Sequence, residues 1–330
     1  LCILSAKTYK ILNIDDIFAN FVSIDRPFAI IVYYTPMKPI SAVYRDRIMQ
    51  MMGKARLDTV VTEQNVYQQA NKNVLPYIDG ILDELILPGS GVDGAEHLRD
   101  LLTKAKEGHS CLLLVEHYSN FDLPALSYLI RKELPDGEEL ADAIVAIAGL
   151  KLNESNPVVT AFTEAYTRIV IYPSRSLQGL DPEKDRAEII RSNAINRAAM
   201  KALNEVKVSG KLILVFPAGT RFRPWDPASK RGVREIDSYI KSFEYFCPVA
   251  INGEVLRIQQ GDMAEDLVTQ DVVRITVGPV TSCTEFREQA RAEAEAAGVE
   301  DKKQATVDKI MDLLEKMHQE AEARRPKAAE

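Results

Sequence analysis

From residue 90 onward, short unbroken apolar runs alternate with longer stretches in which apolar residues recur every three or four positions. The unbroken runs cover 111–115, 143–148, 168–172, 211–216, 246–251 and 272–277. Runs of this length that stay apolar throughout predict strands buried on both faces. Helix-period patterns lie between them, at 95–107 (closed by Gly108), 124–134, 158–166, 182–206 and 233–245. This alternation predicts an α/β fold with a central mixed, largely parallel sheet covered by helices on both faces. From Thr284 the chain is rich in Ala, Glu, Lys and Arg, which predicts one or two surface helices fraying after Arg324.

The first 75 residues have a different texture. Helix-like spacing begins at Ser41 (Val43, Ile48, Met51, Met52, then Leu57, Val60 and Val61). It predicts a small helical N-terminal domain over 1–75, ahead of an α/β domain over 76–330 that carries the C-terminal helices. Pro76 and Leu87-Pro88-Gly89-Ser90-Gly91 mark breaks, the second a loop. The longest apolar runs, 28–34 and 212–216, fall well short of the ~18 residues that cross a bilayer, so a soluble protein is expected.

The net charge of −7 argues against a general nucleic-acid binder, so no nucleic-acid partner is expected. Cys2, Cys111, Cys247 and Cys283 are far apart, without zinc or redox spacing. Cys111 and Cys247 sit in strand-like runs, which predicts buried reduced thiols and a reducing compartment. No metal-ligand cluster is visible, and no cofactor is expected.

Three polar constellations each follow a predicted strand. His117 and Asp122 follow 111–115 in Glu116-His117-Tyr118-Ser119-Asn120-Phe121-Asp122. A carboxylate on one imidazole nitrogen would fix the tautomer and leave the other nitrogen to move protons. Positions i and i+5 do not share a helix face, so the pair meets only if the chain turns after the strand. Asp122 also fits as the N-cap of a helix beginning near Pro124. Arg175 follows 168–172 through Pro173 and Ser174. Arg221 and Arg223 follow 211–216 through Pro217-Ala218-Gly219-Thr220. Ligands of α/β sheets bind beyond the carboxyl ends of strands, so these groups are expected to converge.

Pro224 favours extended backbone at Arg223, which would aim the Arg221 and Arg223 guanidinium groups to one side as phosphate forks. Gly219 and Thr220 would let backbone amides approach the same anion. A pair of solvated arginines on a turn is the competing reading. His97, His109 and His318 have no partner in their sequence neighbourhood and are expected at the surface. Trp225 is expected to pack the loop.

Taken in order, these segments resemble the glycerolipid acyltransferase superfamily. His117 and Asp122 match its H-x4-D motif, Phe216-Pro217-Ala218-Gly219-Thr220-Arg221 is similar to its F-P-E-G-T-R block, and Cys247-Pro248-Val249-Ala250 falls at its apolar proline-containing strand. The run Arg221-Phe222-Arg223-Pro224 resembles the soluble plastid-type glycerol-3-phosphate 1-acyltransferases, which also have a small helical N-terminal domain. Two positions depart from the pattern. Ala218 stands where glutamate is common, and Arg175-Ser176 stands where plastid enzymes carry a basic pair.

The resemblance implies acyl transfer from an acyl-carrier-protein or coenzyme A thioester to the C1 hydroxyl of glycerol 3-phosphate. His117 would be the general base, oriented by Asp122. Arg175, Ser176, Gly219, Thr220, Arg221 and Arg223 would hold the acceptor. It further implies a cytoplasmic location, or the plastid stroma if the source is a plant, with transient membrane-surface contact because the product partitions into lipid. Two alternatives stay open: a lysophosphatidate acyltransferase acting at C2, and a non-catalytic module that binds anionic lipid or acyl-carrier protein.

Overall fold

A computed structural model describes residues 37–57, 60–154 and 156–326. Much of the helical domain expected over 1–75 therefore lies outside the described residues. The described chain runs α1 (Ile40–Val43), α2 (Arg45–Met52), β1 (Tyr67–Gln68), α3 (Leu75–Leu85), β2 (Gly91–Asp93), α4 (Ala95–Lys106), β3 (Cys111–Val115) and α5 (Asp122–Glu133). It continues through α6 (Gly137–Ala143), β4 (Ile144–Gly149), α7 (Lys151–Glu154), α8 (Pro157–Thr163), β5 (Arg168–Ile171), α9 (Ser174–Leu177), α10 (Arg186–Val206) and β6 (Leu212–Val215). The last third holds α11 (Ile236–Ser242), β7 (Tyr245–Asn252), β8 (Leu256–Arg257), β9 (Leu267–Val268), β10 (Arg274–Val277), β11 (Thr281–Ser282), α12 (Cys283–Ala296) and α13 (Lys302–Glu322).

One sheet carries the strand order β1-β5-β4-β6-β3-β7-β10-β2, with β11 beside β7. The consecutive strands β5, β4, β6, β3 and β7 are parallel, so their carboxyl ends share one edge. β1 and β10 join antiparallel, which makes the sheet mixed.

The unbroken apolar strands have the predicted consequence. Along β3, Cys111, Leu113 and Val115 pack on one face with Leu98, Leu101, Leu126 and Leu129 of α4 and α5. Leu112 and Leu114 pack on the other with Ile195, Ile240, Phe286, Ile310 and Leu314 of α10 to α13. No β3 side chain exceeds 1% exposure. Cys111, Cys247 and Cys283 are buried free thiols, and burial pushes Cys111 up to about 12.

Several expectations are corrected. The C-terminal helices are more than surface elements: Val307, Ile310 and Leu314 form an apolar stripe that covers one sheet face. Helical structure from Ser41 stops at Met52, and Val60 and Val61 lie in irregular chain. Pro76 sits inside the first turn of α3, where its missing N–H leaves nothing unpaired. The loop expected over 87–91 leads directly into the short strand β2, which pairs with β10. Helices α1 and α2 contribute Ile40, Ile48 and Met51 to the same core as α3.

Candidate active site

β3 ends at Val115, and the chain turns at once. His117 Nδ1 lies 2.8 Å from Asp122 Oδ2. The same oxygen receives the backbone N–H groups of Tyr118 (2.7 Å) and Ser119 (2.9 Å). Ser119 Oγ accepts the Phe121 N–H and donates to the Leu256 carbonyl, which fixes the turn from the other side. Helix α5 starts at Asp122 itself, and its N-cap residue is Phe121. The capping role expected for Asp122 is therefore replaced: its carboxylate gathers amides from the preceding turn.

An oxygen that already accepts two N–H groups accepts from Nδ1 as well, which selects the Nδ1–H tautomer whenever the imidazole is neutral. Nε2 then presents its lone pair. The ring is partly buried and stacks on Phe216, with centroids 3.9 Å apart and planes 15° from parallel.

Phe216 belongs to the segment after β6, so the His117 turn and the third polar block, Phe216 to Arg223, meet through adjacent parallel strands. The Gly219 N–H donates to the Phe216 carbonyl, closing a turn. Gly219 has φ +63°, and a Cβ there would lie 3.3 Å from Val233 Cγ1, so the position suits glycine. Its amide is thus occupied, whereas the Thr220 N–H has no hydrogen-bond partner among the described residues. The Phe222 N–H donates to the His117 carbonyl at 2.8 Å, tying the arginine segment to the histidine turn.

The two arginines are held differently. Arg221 Nη1 is 2.5 Å from Oδ2 of Asp266, a fully buried carboxylate that Asn120 Nδ2 and the Gln259 N–H also reach. Arg223 is more open, donating to Thr220 Oγ1 at 3.2 Å and lying 3.7 Å from Asp226. Trp225, expected to pack the loop, is 46% exposed.

Arg175 and Ser176 lie on α9, after β5. β5 is three strand spacings from β3, about 14 Å across the sheet. Arg175 is exposed and makes no ion pair among the described residues. Ser174 Oγ donates to Glu235 at 2.6 Å, and the Val233 N–H donates to the Pro217 carbonyl at 2.9 Å. These bonds lash α9 to the chain that follows the third block. Arg175, Arg231 and Val233 line one open cleft of about 890 Å³.

Sequence reasoning missed several charged groups at this edge. Asp266 comes from the excursion between β8 and β9, and burial pushes its carboxyl pKa up. Glu254, just past β7, is pushed up to about 7, chiefly by burial, with Arg257 opposing and the charges of Asp122 and Asp266 adding. His318 is not a surface residue. Its Nδ1 lies 2.9 Å from the buried carboxylate of Glu116. Burial opposes its charge, yet the hydrogen bond and the charge of Glu116 raise its pKa on balance. His109 does lie outside the core, paired with Glu244.

Among the described residues no helix is long and apolar enough to cross a membrane. The sequence profile of the Acyltransferase family matches residues 91–271, more than half of the chain. The chloroplastic glycerol-3-phosphate acyltransferase of Arabidopsis thaliana is 25% identical over 158 residues, 46% of this chain. That match spans 32% of the relative's own length. The matched profile region holds the His117 turn, α9 and the third block, and the chain belongs to the acyltransferase family.

Proposed function

We propose that the chain transfers a fatty acyl group from an acyl thioester of acyl-carrier protein or coenzyme A to the C1 hydroxyl of glycerol 3-phosphate, giving lysophosphatidate. The observation that carries this reading is the His117 imidazole, bound through Nδ1 to Asp122 and with no Nε2 partner among the described residues, at the carboxyl edge of the parallel strands. A module that only bound lipid or carrier protein would have no use for such a base. The name of the Arabidopsis relative supports glycerol 3-phosphate as acceptor.

His117 Nε2 takes the C1 hydroxyl proton as that oxygen attacks the thioester carbonyl carbon. The new C–O bond gives a tetrahedral oxyanion; its collapse breaks the C–S bond, and the imidazolium returns the proton to the leaving thiolate. General-base help of this kind is worth roughly 10²–10⁴ in rate. Asp122 holds the tautomer and supports the imidazolium. Arg175, Arg223 and the Thr220 amide bind the phosphate, with Ser176 beside them. Arg221 and the Gly219 turn shape that side of the site.

Incubation with radiolabelled glycerol 3-phosphate, and separately with lysophosphatidate, against both thioesters tests the reading. Label in lysophosphatidate from the first acceptor is the expected result. Acylation of lysophosphatidate alone would replace it with C2 chemistry, and no acyl transfer to either acceptor would overturn it.

A further inference from the structure

Glu116 immediately precedes the histidine, and its carboxylate is buried, with a side-chain exposure of 4%. A buried charge at this position is costly unless fully partnered. It has three donors. The Ile251 N–H and His318 Nδ1 both reach Oε2 at 2.9 Å, and the Tyr118 hydroxyl reaches Oε1 at 3.1 Å. None of these groups has a role in the acyl-transfer scheme. Glu116 and Tyr118 flank His117 and are bonded to each other, so both neighbours of the base are anchored on one side. Meanwhile His117 turns toward Asp122 and Phe216.

His318 comes from α13, 202 residues away in the chain. Its carbonyl accepts from Asn252 Nδ2 of β7, and the same Asn252 nitrogen donates to Glu322 one turn on. The Tyr118 ring lies 5.2 Å from the His318 ring and 6.0 Å from Phe222. Lys230, ion-paired with Glu315 of α13, sits over both the Tyr118 and Phe222 rings. The charged groups facing His318 are thus Glu116 from the histidine turn, Lys230 from the loop before α11, and Glu315 and Glu322 on its own helix. The C-terminal helix, the histidine turn and the arginine segment form one assembly.

We infer that His318 is a positioning residue: through Glu116 and Tyr118 it sets the backbone on both sides of His117, and so the aim of the imidazole Nε2. This rests on the reading of His117 as the general base. A small displacement at such a centre is costly, since misplacement by about 1 Å lowers rates by roughly 10²-fold.

The test compares His318→Leu, His318→Gln and Val307→Ala in the full chain. His318→Leu leaves Glu116 short of a donor, whereas His318→Gln keeps a neutral one. Val307 is fully buried on α13, about 16 Å along the helix from His318, so its truncation loosens the same helix without touching Glu116. Two readouts are used: kcat and KM for the acceptor, and the ¹⁵N shifts of the His117 ring, which report which nitrogen carries the proton. His318→Leu is expected to lower kcat at least about 10-fold with little change in KM, and to disturb the His117 ring shifts. His318→Gln should recover most of both, and Val307→Ala should lower Tm while leaving the ring shifts in place. A folded His318→Leu protein with unchanged His117 shifts would overturn the inference. If His318→Leu does not fold, ring shifts in His318→Gln and Val307→Ala disturbed to the same extent would overturn it instead. The ring shifts need no turnover, so an inactive wild-type protein would count against the acyltransferase reading alone.

Discussion

Arg221 and Asp266 form a short ion pair, 2.5 Å from Nη1 to Oδ2, whose carboxylate has no exposed surface and whose guanidinium is 19% exposed. An arginine held this way anchors the loop between β8 and β9 against the arginine segment. Asp266 also accepts from Asn120 in the histidine turn, so the pair links three segments of the site.

Arg221→Ala should therefore act first on stability. It strands a buried carboxylate, a loss on the order of 3–5 kcal/mol. Burial already raises the Asp266 pKa, and removal of the guanidinium raises it further. A raised acid is neutral below its unfolded value and destabilising as pH climbs through its folded value. The loss measured by urea denaturation should be greater at pH 8 than at pH 5. Equal losses at both would show that the pair does not control the burial of Asp266.

Under the proposed function, Arg223 and Arg175 test phosphate binding with less interference, because both are exposed or nearly so. Alanine at either should raise KM for glycerol 3-phosphate about 10-fold or more, on the scale of one lost charge-assisted contact, and shift Tm little. Steady-state kinetics over a range of acceptor concentrations would show it. An unchanged KM in both variants would remove these arginines from the acceptor site.

Glu254 gives a pH signature of its own. Its folded pKa of about 7 exceeds the usual glutamate value, chiefly through burial. Its contribution to stability is complete below that usual value and is lost as pH rises toward 7. Glu254→Gln removes the titration. The variant should match the wild type in Tm near pH 4 and exceed it at pH 8. A Tm difference that stays constant across that range would contradict the assignment.

The parts of this fold that were legible in the sequence are those with a strong local signal. β3 and β6 are apolar at every position because both sheet faces are covered, and only such strands leave that mark. The meeting of His117 and Asp122 was legible for a similar reason, since both lie in one turn. The packing of α13 was not, because Asp308, Lys309 and Asp312 stand between Val307, Ile310 and Leu314 and give the helix the composition of a solvated one. Asp266 lies in a polar excursion that reads as an ordinary surface loop, and Glu116 finds His318 from the far end of the chain. Pairings of that range arise from the folded sheet, and no periodicity announces them.

The most direct test is the acyl-transfer rate of His117→Ala beside that of the wild type, with glycerol 3-phosphate binding measured on both by calorimetry. The account predicts a fall in kcat of about 10²–10⁴-fold with the Kd for glycerol 3-phosphate nearly unchanged. Asp122→Asn should fall short of the wild type in the same parameter. Full turnover by the His117→Ala protein would contradict the account.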